Sequence, residues 1–372
     1  MRIVVKVGTS TLAHPTGRLN IQRMEKLCKV LSDLKNMGHE IILVSSGAIA
    51  MGFGKLNLSE RPKDVPTKQA SAAVGQCELM YIYDKLFTEY NHTVAQLLIT
   101  APDIEEGGVR KQNFHNTLAR LLELGALPVI NENDTVSVSE LKFGDNDCLA
   151  SLLVNLIGAD LYINLTSAPG VYAANPQEVP DAGILECVED VAGLDLGRMC
   201  GGKTSVGTGG MYSKLQAARR AAQLGVPTLI LPGREADVLA RAFAGEAVGT
   251  WVRPEEHAIP RRKFWLAYQS DPAGTVLVDA GAAEALLSKG SSLLPGGVRQ
   301  VLGNFQKGAL VRVARLGESD SHASLGVGLS NYSAADLRKI MGLRRHEVAA
   351  ILGDAHYPEV IHRDNLLMDA AI

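Results

Sequence analysis

The sequence predicts an α/β protein: a mostly parallel sheet sandwiched by helices, followed by a small β-rich module. The first observation is a set of β-branched apolar runs typical of buried strands, at residues 3–7, 41–44, 94–99, 127–130, 161–165 and 228–231. The second is helical spacing of apolar residues between these runs, at residues 21–37, 72–90, 114–124 and 214–224. Because strands and helices alternate, a parallel sheet covered on both faces is the simplest architecture. The third is the change beyond residue 263, where short apolar runs alternate with glycine turns.

The length of the chain indicates two domains. A chain of 372 residues is longer than one hydrophobic core usually serves. The alternating pattern stops in a charged segment that contains Pro254 and Pro260. We therefore expect a first domain over residues 1–252, a linker over 253–263 and a second domain over 264–372.

Composition narrows the class of protein. A net charge of -3 is unsuited to a general polyanion binder. The five cysteines include no C-x-x-C pair and their number is odd, which favours a reducing compartment. No apolar run reaches the length of a membrane span, and Lys6 interrupts the apolar start of the chain before it could serve as a signal peptide. We expect a cytoplasmic protein with no membrane partner.

The stretch Phe-Gly-Asp-Asn-Asp at residues 143–147 is the strongest candidate for a functional site. Asp145, Asn146 and Asp147 stand directly before an apolar run that is typical of a buried helix, so they belong to its first turn. One Asp alone would be interpreted as an N-cap. Three polar groups together favour a site, whose carboxylates could hold lysine ammonium groups or a metal.

Further signals lie at the ends of predicted strands, where open α/β sheets bind ligands. Lys6 lies near the end of the first strand, just before Gly-Thr-Ser. Ser46 lies in a loop of small residues after the second strand, which suits an anion nest as well as a plain turn. Asp134 ends the polar segment 131–134 after a later strand. It either belongs to a turn or pairs with a substrate ammonium group.

A glycine-rich segment at residues 201–214 runs into a helix that begins near Met211. Its backbone N–H groups, the positive helix end and Lys214 would favour a phosphate, although a surface loop can have the same composition. The segment lacks the Walker A pattern, so it is not a P-loop. Phosphoryl transfer needs positive charge over the migrating group, which Lys6 and Lys214 could supply with Asp147 between them.

Five motifs, in this order along the chain, resemble the glutamate 5-kinases of the amino-acid kinase superfamily. They are V-K-V-G-T-S at 5–10, V-S-S-G-A at 44–48, N-E-N-D at 131–134, F-G-D-N-D at 143–147 and G-T-G-G-M-Y-S-K at 207–214. The resemblance implies the amino-acid kinase fold and ATP-dependent phosphorylation of the side-chain carboxylate of L-glutamate, the first step of proline biosynthesis. Three later segments resemble the PUA domain that many of these kinases carry: 290–298, 303–305 and 360–365.

The resemblance also implies a role for each matching residue. Lys6, Lys214 and Asp147 would be catalytic, with both lysines on the transferred phosphoryl group and Asp147 organising them. Glutamate would be held by four residues: Ser46, Asp134, Asn146 and Asp145. ATP would be bordered by Lys6, Thr166, Ser167, Thr208, Gly209, Gly210, Met211, Tyr212, Ser213 and Lys214. No protein-bound metal is expected, because Mg²⁺ would arrive with the nucleotide.

Two residues depart from the pattern of the family that the chain resembles. Ser167 and Asn175 stand where its members often have Asp, and both lie on the nucleotide side. We expect ATP use to be retained. The resemblance further implies feedback inhibition by proline and a homo-oligomer, either a dimer or a tetramer.

Two alternatives remain open at this point. A superfamily relative could phosphorylate another acceptor, such as acetylglutamate, aspartate, carbamate or UMP. An RNA-binding regulator is the other alternative, because PUA domains elsewhere commonly bind RNA. From Arg262 to the end, however, 12 Lys and Arg residues face 11 Asp and Glu residues, a balance poorly suited to phosphate-driven affinity. We therefore expect an accessory module that does not bind RNA.

Overall fold

The computed structural model describes the chain apart from residues 15, 17, 61, 106–107, 137–145, 201–209, 236, 257, 269–271, 318–322, 354–356 and 370–372. Contacts divide the chain into two compact units, Met1–Ala258 and Ile259–Ile372. The division falls within the segment 253–263, which the sequence suggests as a linker. The last three residues of that segment, however, form the first turn of a helix.

The first unit alternates strands and helices along most of its length. Its elements in chain order are β1 (Arg2–Val7), α1 (Thr9–Leu12), α2 (Ile21–Asn36), β2 (Glu40–Ser45), α3 (Ala48–Lys55), α4 (Val65–Thr88), β3 (Val94–Ile99), α5 (Ala101–Glu105), α6 (Gly108–Glu123), β4 (Leu127–Glu132), α7 (Asn146–Ile157), β5 (Leu161–Thr166), β6 (Val171–Tyr172), β7 (Ile184–Leu185), β8 (Cys187–Val188), α8 (Leu196–Met199), α9 (Met211–Gln223), β9 (Thr228–Pro232), α10 (Val238–Phe243) and β10 (Thr250–Val252).

The main sheet has the strand order β3-β4-β2-β1-β5-β9-β10-β8, with β1 near its centre. All neighbours from β3 to β9 are parallel, whereas β10 pairs antiparallel with β9. The predicted mostly parallel sheet is therefore confirmed. The edge formed by β10 and β8 is not visible in the sequence, because strands of two or three residues are too short to show a period.

The two faces of the sheet carry different helices. Strand residues such as Ile3, Val5 and Val7 pack against α2 and α4 in the largest described core cluster. Helix α7 packs on β1, β2 and β5 and lies against α9. Strand β1 is buried on both faces, as expected for a central parallel strand. Lys6 is its one charged interior residue.

Helix α4 begins seven residues before the predicted start at residue 72. Asp64 caps it by accepting a hydrogen bond from the Thr67 N–H group, and Pro66 lies in its first turn. The helix crosses α3 at very short range, because a Cβ atom on Gly75 would lie 1.8 Å from the Ala48 carbonyl oxygen. This contact holds the middle of α4 against the start of α3.

The second unit is a small β-rich fold, as predicted. Its elements are α11 (Arg261–Tyr268), β11 (Gly274–Val278), α12 (Ala280–Lys289), β12 (Val298–Gly303), β13 (Leu310–Arg315), β14 (Ala323–Leu329), α13 (Ala334–Ile340), α14 (Arg345–Leu352) and β15 (Leu366–Met368). The strands form one sheet in the order β12-β11-β13-β14-β15. Across the described part of the chain, no helix is both long and apolar enough to cross a membrane.

Candidate active site

The site centres on one buried carboxylate, that of Asp147 in the first turn of α7. Lys6 Nζ lies 2.6 Å from Asp147 Oδ1, and Lys214 Nζ lies 2.9 Å from Asp147 Oδ2. The side chains of the two lysines are 3% and 6% exposed, and that of Asp147 is fully buried. Strand β1 and helix α9, far apart in sequence, thus bring ammonium groups to one acid on α7.

Strand register explains how Lys6 reaches this position. In the parallel pair of β1 and β5, Lys6 lies opposite Asn164, so both side chains project from the same face of the sheet. Asn164 Nδ2 donates to Asp147 Oδ1 at 2.7 Å and to the Tyr162 hydroxyl at 3.0 Å. Asn164, which the sequence did not single out, therefore supports the carboxylate from strand β5.

The start of α9 contributes the other side of the site. This helix begins at Met211 after the extended residue Gly210, so Ser213 and Lys214 lie in its first turn. Ser213 Oγ donates to Asp147 Oδ2 at 2.8 Å, beside the Lys214 ammonium group. Among the described contacts, each Asp147 oxygen accepts one charged and one neutral donor, which fixes the rotation of the carboxylate.

Burial and charge act in opposite directions on the Asp147 carboxyl. Burial alone would raise its pKa, but the Lys6 and Lys214 ammonium groups outweigh this effect and hold the pKa well below the usual range. Asp147 is therefore ionised at neutral pH. Two ammonium groups beside this carboxylate are the kind of positive charge that favours an incoming anion.

A second polar cluster surrounds the side chain of Asn146, the residue before Asp147. Asn146 Nδ2 lies 2.8 Å from Ser46 Oγ, 3.1 Å from the Ser45 carbonyl oxygen and 2.9 Å from Asn131 Oδ1. Asn146 Oδ1 is buried and has no hydrogen-bond partner among the residues that the structure describes. The structure thus brings Ser46 and Asn146 together and leaves a buried acceptor beside them.

The sequence analysis assigned no role to the residues that support this cluster. Asn131 is 2% exposed, and its Nδ2 donates to Gln76 Oε1 at 2.9 Å. The Tyr83 hydroxyl lies 2.8 Å from Ser45 Oγ. Asn131 belongs to the polar segment 131–134, so a signal for it existed. Gln76 and Tyr83 lie within a helical pattern, where nothing distinguishes a buried polar residue from a solvated one.

Asp134 lies in the turn that follows β4, two residues beyond Glu132, the last residue of that strand. Burial and then the charge of Glu132 raise the pKa of Asp134 to about 6. A carboxylate with such a pKa is ionised at neutral pH but poorly stabilised, so a cationic ligand would bind favourably beside it. Asp134 therefore suits an ammonium group.

Of the residues predicted to border ATP, Lys6 lies on β1, and the other described ones lie where β5 ends and α9 begins. Thr166 is the last residue of β5 and Ser167 follows it, while Gly210 directly precedes α9. Three predicted site residues lie outside the described residues: Asp145, Thr208 and Gly209.

Asn175 takes part in a local turn. Its Oδ1 accepts a hydrogen bond from the Gln177 N–H group at 3.1 Å, and its Nδ2 donates to Glu178 Oε1 at 2.9 Å. An Asp at this position would place a second carboxylate oxygen against Glu178. The Asn therefore suits this loop, independently of any nucleotide contact.

The described residues do not form a protein-held metal site. Within the described ranges, no group of three His, Cys, Asp or Glu side chains could hold a metal ion. Both oxygens of Asp147 already accept hydrogen bonds from side chains. The residues present at the centre of the site thus fit ammonium groups and not a directly bound Mg²⁺.

The paired lysines at the carboxyl edge of this parallel sheet suit phosphoryl transfer, because two ammonium groups could stabilise the charge of a migrating phosphoryl group. Residues 1–232 match the amino acid kinase family, and residues 274–352 match the PUA domain. The chain belongs to the amino acid kinase family, and its second unit contains the PUA match. The expected amino-acid kinase fold and the expected PUA region are thereby confirmed.

Curated relatives resemble the chain over its full length. The glutamate 5-kinase of Nitratidesulfovibrio vulgaris is 60% identical over 370 residues, which cover 100% of this chain and 96% of that protein. The glutamate 5-kinase of Oleidesulfovibrio alaskensis is 55% identical over 371 residues, covering 100% and 96%. The glutamate 5-kinase of Caldanaerobacter subterraneus is 47% identical over 369 residues, covering 99% and 98%. The resemblance inferred from five short motifs is confirmed by these matches.

Proposed function

We propose that this chain uses ATP to phosphorylate the side-chain carboxylate of L-glutamate, yielding L-glutamyl 5-phosphate in the first step of proline biosynthesis. The observation that carries the proposal is the pair of buried ammonium groups, those of Lys6 and Lys214, on the Asp147 carboxylate. Full-length similarity to glutamate 5-kinases supports glutamate as the acceptor.

The chemistry requires no general base. A glutamate side chain with a pKa of about 4.3 is ionised at neutral pH and is its own nucleophile. One of its oxygens forms a bond to the γ-phosphorus of ATP, while the bond from that phosphorus to the β–γ bridging oxygen breaks. ADP leaves with the electron pair of the broken bond, and no proton is transferred.

The two lysines have the electrostatic role in this proposal. Lys6 and Lys214 stabilise the charge on the oxygens of the migrating phosphoryl group, in a site where little water dilutes their effect. Asp147 positions both ammonium groups. Asn164 and Ser213 hold the Asp147 carboxylate in turn, through the hydrogen bonds that they donate to it.

Glutamate binds, in our proposal, at the cluster around Asn146. Asp134 and Asn146 Oδ1 receive the substrate ammonium group, and Ser46 contributes a hydroxyl group. Asp145, from the motif at 143–147, completes the set of substrate residues. The raised pKa of Asp134 supports this assignment, because an ammonium ligand would offset the cost of its buried charge.

ATP lies, in the same proposal, along the residues that border β5 and α9: Lys6, Thr166, Ser167, Thr208, Gly209, Gly210, Met211, Tyr212, Ser213 and Lys214. Mg²⁺ arrives on the nucleotide phosphates rather than on protein carboxylates. The proposal also includes retained use of ATP despite Ser167, feedback inhibition by proline, a homo-oligomer and a cytoplasmic location. Residues 1–252 carry the chemistry, and residues 264–372 form an accessory module that does not bind RNA.

Release of ADP in the presence of a panel of acceptors tests the function. L-glutamate should support ADP release, whereas aspartate, N-acetylglutamate, carbamate and UMP should not. Hydroxylamine should trap the acyl phosphate as a glutamyl hydroxamate, because an acyl phosphate is readily attacked by nitrogen nucleophiles. ADP release that ignores glutamate, or that follows another acceptor, contradicts the proposal.

A filter-binding assay tests the alternative of an RNA-binding regulator. We expect no retention of RNA at physiological salt. Retention that weakens steeply as salt increases would favour the RNA-binding alternative, because counterion release governs such binding.

A further inference from the structure

We infer that Gln76 is a positioning residue for the amino-acid substrate, acting through Asn131 on the carboxamide of Asn146. The inference rests on the proposed function. Gln76 lies on α4 and is 8% exposed, and Asn131 ends the buried part of β4. Neither belongs to the residues that carry charge at the site. Both residues belong to a chain of hydrogen bonds that ends at Asn146, and the direction of these bonds determines how the Asn146 carboxamide is oriented.

Three carboxamides form this chain. Gln76 Oε1 accepts from Asn131 Nδ2 at 2.9 Å, and Asn131 Oδ1 accepts from Asn146 Nδ2 at 2.9 Å. Oxygen and nitrogen look alike in a carboxamide, so the direction of such a chain needs an independent anchor. This chain of hydrogen bonds is anchored at two points.

Two backbone groups supply these anchors. The Glu132 N–H group donates to Asn131 Oδ1 at 2.9 Å, and a backbone N–H group can only donate. The Ser45 carbonyl oxygen accepts a hydrogen bond from Asn146 Nδ2 at 3.1 Å, and a carbonyl oxygen can only accept. The chain therefore runs in one direction, and Gln76 must present its oxygen to Asn131.

The direction decides what Asn146 offers to a ligand. Its nitrogen is committed to Asn131, Ser45 and Ser46, so its buried Oδ1 remains as an acceptor. An acceptor suits the ammonium group of an amino acid. Without the Gln76 oxygen, Asn131 Nδ2 loses its acceptor in a buried place, and rotation of the Asn131 carboxamide would set two donors against each other. Asn146 would then keep its contacts with Ser45 and Ser46 but lose the acceptor that Asn131 supplies, so its carboxamide would be held less firmly.

The close crossing of α3 and α4 holds Gln76 in place. Gly75, the residue before it, packs so tightly on α3 that an added Cβ atom would lie 1.8 Å from the Ala48 carbonyl oxygen. The Gln76 Nε2 group donates to Gln96 Oε1 only at 3.4 Å, a long contact. The oxygen of Gln76, and not its nitrogen, is therefore the group that matters.

Substitution of Gln76 by Met and by Glu separates positioning from packing. Gln76→Met keeps the length of the side chain and removes the acceptor, whereas Gln76→Glu keeps an oxygen for Asn131. We expect Gln76→Met to raise the glutamate KM about tenfold, with the ATP KM and kcat changed less than about twofold. Gln76→Glu should bind glutamate at least about fivefold better than Gln76→Met. Gln112→Met, the same change at an exposed position of α6, should resemble the unmodified protein.

Glutarate, which is glutamate without its amino group, gives a readout that a merely structural role would not affect. Its inhibition constant against glutamate should change less than about twofold in Gln76→Met, because Asn146 Oδ1 recognises only the ammonium group. Equal losses for glutarate and glutamate, or for ATP and glutamate, overturn the inference. A Gln76→Glu variant that binds glutamate no better than Gln76→Met also overturns the inference.

Two further outcomes are distinguishable. If Gln76→Met does not fold, Gln76→Glu alone tests the positioning role. The measured quantity is the ratio of the glutarate inhibition constant to the glutamate KM. In Gln76→Glu this ratio should stay within about threefold of its value in the unmodified protein. A larger change overturns the inference. If the unmodified chain shows no glutamate-dependent ADP release in the same assay, the proposed function fails. If the unmodified chain is active and Gln76→Met has the same glutamate KM, only the positioning role is refuted.

Discussion

Lys6 and Lys214 contact different oxygens of the same buried carboxylate, at 2.6 Å and 2.9 Å from Asp147. The acid stabilises both lysines at this depth, because a buried ammonium group without a counter-charge is strongly destabilised. The Asp147 carboxylate thus holds the two cations close together. Such preorganisation is what electrostatic stabilisation of a migrating phosphoryl group requires.

Substitution of Lys214 by Met should lower kcat while changing the glutamate KM little. Removing one preorganised cationic donor typically costs about 10²- to 10³-fold in rate. The measurement is initial-rate kinetics of ADP release with each substrate varied in turn. Lys85→Met, at an exposed position on α4, is a suitable control and should behave like the unmodified protein. A Lys214→Met variant that loses only substrate affinity would contradict a role in the chemical step.

Substitution of Asp147 by Asn should destabilise the first unit by about 3–5 kcal/mol at pH 7, because it removes the negative charge that lies against two buried ammonium groups. The pKa of Asp147 is lowered in the folded protein, so its contribution is present above the pKa of the unfolded state, about 4, and is lost as the pH falls. The difference between variant and unmodified protein should therefore shrink below pH 4. Urea unfolding at several pH values measures it, and a pH-independent difference would contradict the charge argument.

Glutamate capture should weaken as the pH falls through about 6, because the free Asp134 carboxyl has a pKa of about 6 and must be ionised to bind an ammonium group. The logarithm of kcat/KM for glutamate should then fall with a slope of about one below this pH. Asp134→Asn should raise the glutamate KM and abolish this inflection. An unchanged inflection in the variant would show that another group titrates.

The same substitution should stabilise the protein in the absence of ligand. The pKa of Asp134 is raised in the folded state, so its ionised form is unfavourable above pH 6 and the cost disappears below about pH 4. Since the side chain is partly exposed, we expect Asp134→Asn to gain only about 1–2 kcal/mol at pH 8. Thermal unfolding at pH 8 and pH 4 compares the two conditions. A gain of the same size at both pH values would argue against this origin.

Substitution of Gly75 by Ala should be severely destabilising, by about 3 kcal/mol or more, because backbone atoms of α3 occupy the space for a Cβ atom. The nearest of these, the Ala48 carbonyl oxygen, would be 1.8 Å away. Gly183→Ala is the matched control, since a Cβ atom there meets no atom within 4 Å. Thermal unfolding should separate the two variants by many degrees. Similar melting temperatures would mean that α3 and α4 are less closely packed than described.

Much of the fold was predictable from the sequence because its strands and helices differ so clearly in period. The run at residues 3–7 and the helix at 21–36 appear almost to the residue. The start of α4 was predicted too late, because Asp64 and Pro66 mark it by capping chemistry and not by apolar spacing. The antiparallel strand β10 was not predicted, since three residues show no pattern.

The charged part of the site was also visible in the sequence, because Lys6 interrupts an apolar strand and Asp147 opens an apolar helix. Its neutral supports were not. Asn164 lies inside a buried strand, and Gln76 lies inside a helix, where a polar residue has no characteristic spacing. Only the strand register and the packing of α4 show that these two carboxamides reach the site.

A crystal structure with L-glutamate, ADP and aluminium fluoride, which mimics the phosphoryl group in transfer, tests the central claim most directly. The account predicts that the Nζ atoms of Lys6 and Lys214 both lie about 2.7–3.2 Å from the fluoride ligands, with Asp147 still between them. A mimic bound away from either ammonium group, with the site closed around both substrates, would contradict it.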